Sequence, residues 1–241
     1  MDAQLLNPIA YIPKYFRVVT KSDEWGRSDL VPMHLWKAQR HYIENRTHRD
    51  IILKSRQMGI STGVMAANSH HLFTNSYQRM TIITHDFETS EFLFQTVLRF
   101  WKNLPDEIKP KIGLKSTERI TFPDLDSYIY IDSAKSDSIG IGHTLNVAHL
   151  SEVSRWPPRR ADDLFAEISQ TVPIGGFITL ETTPRGRQGL AYRLYDGAKK
   201  GENNYTAHFY PWWWAEEYRR ETKRLTLTNE EQVMMNNYSL T

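Results

Sequence analysis

At 241 residues, with 40% hydrophobic and 12% aromatic content, the chain is long enough to bury a substantial core and too apolar to be disordered. Its 30 basic and 28 acidic residues leave a net charge of +2, which excludes binding driven by bulk charge; any nucleic-acid contact has to come from a local patch. The absence of cysteine excludes disulfides and thiolate metal sites, and no apolar run approaches the ~18 residues of a membrane helix. The first residues, with Asp2, Pro8 and Pro13, do not read as a secretion signal, so a soluble cytosolic protein without membrane contact is expected.

In chain order, residues 1–30 show no clear periodicity and are expected to form an irregular arm. Met33 to Arg46 has helical spacing, with Leu35, Trp36, Gln39 and Tyr42 near one face. Asp50 to Leu53 reads as a buried strand and Gly63 to Leu72 as a helix of small residues. Met80 to Thr84 reads as a strand, and Phe87 to Trp101 as an apolar helix capped by Thr84 or Asp86 and stopped by Pro105. Ile120 to Phe122 and Tyr128 to Ile131 suggest a hairpin around Pro123-Asp124-Leu125-Asp126. Val147 to Leu150 and Phe177 to Leu180 are buried strands; Gln188 to Lys200 is helical, Tyr205 to Tyr210 a strand, and Asn229 to Asn237 helix-like. This alternation predicts an α/β fold, a mostly parallel sheet with helices on both faces.

Four segments carry chemistry. Lys54-Ser55-Arg56-Gln57-Met58-Gly59-Ile60-Ser61-Thr62 lies between a strand and a helix, where the helix N-terminus offers unpaired N–H groups to a phosphate. Ser61 stands where such loops place the hydroxyl that holds Mg²⁺, but Lys54 replaces the usual first glycine and Ile60 the usual lysine; an ordinary strand-to-helix turn is the alternative. Leu145 to Glu152 is a buried strand delivering a carboxylate at its C-terminal end, the sheet edge at which ligands bind. Glu152 suits activation of an attacking water, and Ser151 takes the place of an aspartate that usually helps hold the Mg²⁺ water shell. The alternative for Glu152 is an acid stabilised by a helix dipole. Thr182-Thr183-Pro184-Arg185-Gly186 follows a strand and can sense a γ-phosphate, or be a plain turn. The amide of Gln39, in Pro32 to Gln39, offers the donor and acceptor that read an adenine edge, or is simply solvated.

Taken together, Gln39, Ser55-Arg56-Gln57-Met58-Gly59, Leu150-Ser151-Glu152 and Thr183-Pro184-Arg185-Gly186 resemble the ATPase domain of the large terminase subunit, the DNA-packaging motor of tailed bacteriophages. Pro211-Trp212-Trp213-Trp214-Ala215-Glu216-Glu217-Tyr218 is similar to that family's Pro-Trp segment before its linker. The resemblance implies a P-loop NTPase core of the ASCE/RecA-like type over 31–211, preceded by the arm and followed by a helical linker or lid over 212–241. It implies ATP and Mg²⁺ as cofactors. Lys54, Ser55, Arg56, Gln57, Met58, Gly59, Ile60, Ser61 and Thr62 would surround the phosphates, Gln39 would contact adenine, and Thr182 and Thr183 would couple nucleotide state to motion. Glu152 is the implied catalytic carboxylate, and Ser61, Ser151 and Glu152 the metal set. The family often carries an arginine finger before the glutamate strand; the aligned residue here is Ile141, so Arg155, Arg159 and Arg160 are the substitutes.

The implied partners are double-stranded DNA, the portal protein, the small terminase subunit and further copies in a ring, in the cytoplasm of an infected host. DNA would be gripped through phosphates, with Arg185, Arg187, Lys199, Lys200, Arg219, Arg220, Lys223 and Arg224 available. Asp124, Asp126, Asp132 and Asp137 do not resemble a nuclease site, so hydrolysis of ATP without DNA cleavage is expected. Two alternatives stay open: another nucleic-acid translocase of helicase type, and a nucleotide-binding module whose catalysis has decayed.

Overall fold

Ile51 and Ile52 are adjacent in sequence and both buried, yet they belong to different cores, and that split organises the molecule. Successive side chains of a strand point to opposite faces, so a continuous apolar run implies a sheet covered on both sides. The computed structural model describes residues 6–23, 25–136, 144–215, 218 and 226–238. Its central sheet has seven strands: β3 (Arg49–Lys54), β4 (Arg79–Thr84), β5 (Arg119–Phe122), β6 (Ser127–Ser133), β7 (Val147–Ser151), β8 (Phe177–Thr182) and β9 (Thr206–Tyr210). Their order is β5-β6-β4-β7-β8-β3-β9. Only the β5–β6 pair is antiparallel; the other five pairings are parallel.

On one face, α1 (Pro8–Tyr15), α2 (Lys37–Asn45), α3 (Ile60–Thr74) and α4 (Phe87–Lys102) pack over Ile52, Met80, Ile82 and Val147. On the other, α5 (Ala161–Thr171) and α6 (Gly189–Lys200) pack over Ile51, Ile83, Leu150 and Leu180. Helix α3 is buried nearly all round, which explains its small residues: a Cβ on Gly63 would come within 3.0 Å of the Gln39 side chain on α2. Helix α4 starts where the sequence suggests, with Asp86 accepting the Thr89 N–H at 2.8 Å.

The hairpin, the sheet and the helix faces agree with the sequence reading; two local expectations do not, and one helix is additional to it. The described residues of the first thirty are not irregular throughout. Asn7 caps α1 by accepting the Ile9 N–H, and Tyr11, Ile12 and Phe16 enter the first core. A two-stranded antiparallel sheet follows, β1 (Arg17–Val19) against β2 (Leu30–Pro32), and Phe16 stacks on Phe100 at 4.4 Å. The helix expected from Met33 begins only at Lys37, because the Gln39 side chain accepts the Trp36 N–H and fixes the helix start there. Helix α5 has no counterpart in the sequence reading; Ala161, Leu164 and Ile168 form its buried stripe behind Asp162 and Asp163 in the first turn. After β9, Trp212–Trp214 forms a 3₁₀ turn whose Trp214 packs on the first core, with Ala215 inside it. A final helix, α7 (Asn229–Tyr238), has no buried residue and touches Trp213 through Tyr238. No described helix is long and apolar enough to cross a membrane.

Candidate active site

Strand parity assembles the site. Lys54 on β3, His149 and Ser151 on β7, and Thr179 and Glu181 on β8 are two apart within each strand and share the α3 face. At the C-terminal end of that face the side chains converge. The Lys54 ammonium lies 3.2 Å from Glu152 Oε1 and 3.0 Å from Glu181 Oε2, and 3.4 Å from the Ser61 hydroxyl at the start of α3. Thus the loop lysine, the hydroxyl and the carboxylate, 98 residues apart in sequence at the extremes, meet around one point.

The loop itself is held open for backbone contacts. Gln57 and Gly59 adopt left-handed φ values of 56° and 65°. No side chain caps the N-terminus of α3, so its first N–H groups face the site. Met58 and Ile60 bury their side chains in the first core, leaving only their backbone to the loop, which is why an isoleucine is accepted at the usual lysine position. Arg56 and Gln57 are exposed, while Ser55, Ser61 and Thr62 are half-buried around the loop. Ser55 N–H donates to Tyr210 O at 3.0 Å, and Tyr218 Oη donates to Arg56 O at 2.8 Å, tying the loop to the segment after β9.

Gln39 is buried. Its Nε2 donates to Gly59 O at 2.8 Å and its Oε1 accepts from Trp36 N–H at 2.9 Å, so its amide fastens the loop to α2. Beside it, Leu35, Trp36, Met58 and Trp214 line an apolar pocket of about 380 Å³. Lys37 sits over the Trp214 ring at 4.8 Å.

Glu152 is itself in the left-handed region, with φ 51°, on the turn from β7 into the 3₁₀ helix Val153–Arg155. Such strain in a non-glycine residue clusters at functional sites. Its Oε2 is buried and accepts no hydrogen bond; Arg155 Nε, itself unsatisfied, lies 3.6 Å away. Arg159 is exposed on the next turn, and Arg160 donates to Ser136 O, away from Glu152. Thr182 Oγ1 donates to Ser154 Oγ at 2.7 Å and accepts from Ser154 N–H at 3.1 Å, while Ser154 Oγ donates to Thr183 O at 2.9 Å. The end of β8 is therefore bonded to the turn that carries Glu152.

Sequence reasoning missed Glu181, which is 0% exposed at the core of this cluster. Burial alone would raise its carboxyl, but Lys54, His149 and the Ser151 hydroxyl outweigh that and hold it well below the usual carboxylate range. Burial alone would lower Lys54, but Glu181 and Glu152 outweigh it, so the ammonium is held protonated. The signal was present: Glu181 is a charged residue inside an apolar strand, at the parity of Thr179. Ile141, where a finger would align, together with Asp137, Arg219, Arg220, Lys223, Arg224, Glu216 and Glu217, lies outside the described residues. Among the described residues no group of three or more His, Asp or Glu side chains could hold a metal ion.

No family model and no curated protein matches this chain. Solved structures do. The bacteriophage HK97 large terminase superposes with a TM-score of 0.69 at 14% identity, covering 98% of this chain and 48% of that one. The Thermus phage P74-26 large terminase ATPase domain gives 0.61 at 18% identity, covering 86% and 88%. A large terminase from a thermophilic bacteriophage, in complex with ATP-gamma-S, gives 0.52 at 14% identity, covering 85% and 50%. The chain thus has the fold of these proteins and spans about half the length of the HK97 chain.

Proposed function

We propose that this chain is the ATPase motor domain of a phage large terminase subunit, which hydrolyses ATP to drive double-stranded DNA into a procapsid. The observation that carries the reading is the meeting of Lys54, Ser61 and Glu152 at the C-terminal sheet edge, with β8 between the loop strand and the glutamate strand. The uncapped N-terminus of α3, the buried ammonium and the unsatisfied Glu152 Oε2 fit a magnesium-bound triphosphate.

In this reading Ser61 would hold Mg²⁺, with Ser151 and Glu152 toward its water shell, and the ion would supply charge neutralisation at the phosphates. The N–H groups from Gly59 to Thr62 cradle the phosphates. Lys54 and Arg56 neutralise them, and Ser55, Gln57 and Met58 shape the loop. Glu152 Oε2, which accepts no hydrogen bond, takes the proton of the attacking water. Arg155, beside Glu152, and Arg159, exposed to a neighbouring copy, supply cationic stabilisation. Adenine lies against Trp36, Met58 and Trp214, and Gln39 reads its edge with the hydrogen-bonding capacity left to its amide. Loss of the γ-phosphate passes through Thr182 and Thr183 to the strand end. DNA is gripped through phosphates by basic residues such as Arg185, Arg187 and Lys199, and the portal protein, the small subunit and further copies are partners in the host cytoplasm.

Phosphate release from ATP by the purified chain, in Mg²⁺ and in EDTA, tests the enzymatic part. Turnover that requires Mg²⁺ is expected. Absence of both turnover and ATP binding at high protein concentration would sink the reading.

A further inference from the structure

On that reading, the site holds one charge that remains without a role. Glu181 is wholly buried, a costly place for a carboxylate, and has no contact with solvent. All its partners are side chains of the cluster: Oε1 accepts from Ser151 Oγ at 2.5 Å and lies 3.6 Å from His149 Nε2, and Oε2 pairs with Lys54. Ser151 and Glu181 are direct register partners on neighbouring parallel strands and face the same way. Ser151 is also the position where an Mg²⁺-dependent NTPase of this kind ordinarily has an aspartate.

We infer that Glu181 supplies from β8 the negative charge that the residue before Glu152 ordinarily supplies from β7, acting on the magnesium-bound nucleotide through the Ser151 hydroxyl. The chemistry is direct. A serine oxygen carries no charge, but its O–H is given to a carboxylate in a short, charge-assisted bond. That leaves the Ser151 lone pairs for a water of the metal shell and polarises them toward it. The same carboxylate draws Lys54 to one side, so Glu181 also sets where the ammonium stands between Glu152 and the loop. Two adjacent buried carboxylates at 151 and 181 would repel, so the pair of positions accommodates one charge, on either strand. Glu181 is a positioning residue: it reaches the reacting atoms only through Ser151 and Lys54.

The test moves the charge back. ADP affinity is measured calorimetrically with MgCl₂ and with EDTA for the wild type, Glu181→Gln and the double variant Ser151→Asp/Glu181→Ser, with melting curves for each. For the wild type, Mg²⁺ should tighten ADP binding. Glu181→Gln should lose roughly tenfold or more of that Mg²⁺ gain while affinity in EDTA changes little. The double variant should recover the gain. A folded Glu181→Gln protein that keeps the full Mg²⁺ gain overturns the inference and leaves the nucleotide reading standing. If Glu181→Gln does not fold, the double variant decides alone: folded with the gain supports the inference, folded without it refutes it. A wild type that binds no ADP in either condition removes the nucleotide reading, and the inference with it.

Discussion

Strand β3 carries a buried charged network at each end, and the two are built to opposite standards. At its N-terminal end Asp50 is fully buried, and its carboxylate accepts from Thr47 Oγ1 at 2.7 Å, from Thr47 N–H at 3.1 Å and from His208 Nε2 at 3.0 Å. No buried side-chain polar atom of Asp50, Thr47 or His208 lacks a partner. At the C-terminal end Glu181 Oε2 and His149 Nε2 are engaged in ion pairs with Lys54 and with the Glu181 carboxylate, but Glu152 Oε2 and Arg155 Nε, 3.6 Å apart, are buried without a hydrogen bond. Buried charge is therefore common to both ends and identifies neither. What separates them is unspent hydrogen-bonding capacity, which a folded protein rarely leaves buried unless something else uses it. The first network holds β9 to β3; the second, on the proposed reading, keeps that capacity for a ligand.

The contrast can be broken by substitution. Glu152→Gln should lower ATP turnover by roughly 10²–10⁴-fold, the usual contribution of a general base, with the melting temperature held near wild type. Asp50→Ala should do the reverse. Removing that carboxylate should cost about 3 kcal/mol in urea denaturation, while folded protein keeps its turnover; a large loss of turnover per folded molecule would erase the distinction between the two ends. Gly59→Ala acts on the loop alone. Its φ of 65° disfavours any side chain, and a Cβ would stand 2.7 Å from Gln39 Nε2. A cost of about 1–3 kcal/mol and weaker ATP binding should appear together in melting curves and titrations. Asp86→Ala, at a residue that belongs to neither network, should cost about 1 kcal/mol as a lost helix cap. Burial pulls the Asp86 carboxyl up, but the Thr89 N–H and side chain with His85 outweigh it and hold it low. Its folded value thus lies below its unfolded one. The advantage of wild type over Asp86→Ala should be complete above the ordinary aspartate range and shrink as pH falls through it, seen as converging melting temperatures.

Much of this was legible in the chain, and the exceptions have physical causes. The parallel sheet was readable because both its faces are buried, so β3, β4, β7 and β8 are apolar runs between helical segments. Lys54, Ser61 and Glu152 were readable because each sits at a strand or helix end beside a recognisable turn. Helix α1 was hidden by its two prolines: Pro8 occupies the first turn, where its missing N–H costs nothing, and Pro13 interrupts the pattern from inside. The chemistry of the Gln39 amide was legible, but its bond to Gly59 O, which fastens the loop to α2, joins residues 20 apart and was not. Glu181 was lost because the strand was ended at Leu180. The ladder to β3 runs on to Thr182, paired with Leu53, and a polar residue continued a strand only because Lys54 and Ser151 were waiting across it.

Which end of the sheet takes the nucleotide is the claim on which the rest depends, and hydrogen exchange measures it directly. Exchange is followed by mass spectrometry in Glu152→Gln with and without ATP and Mg²⁺, so that bound nucleotide is not consumed. Slowed exchange is predicted over 55–62 and over the turn after β7, with 47–50 and 204–206 unchanged. Protection confined to the N-terminal end, or an unaltered loop at saturating ATP, would contradict the account.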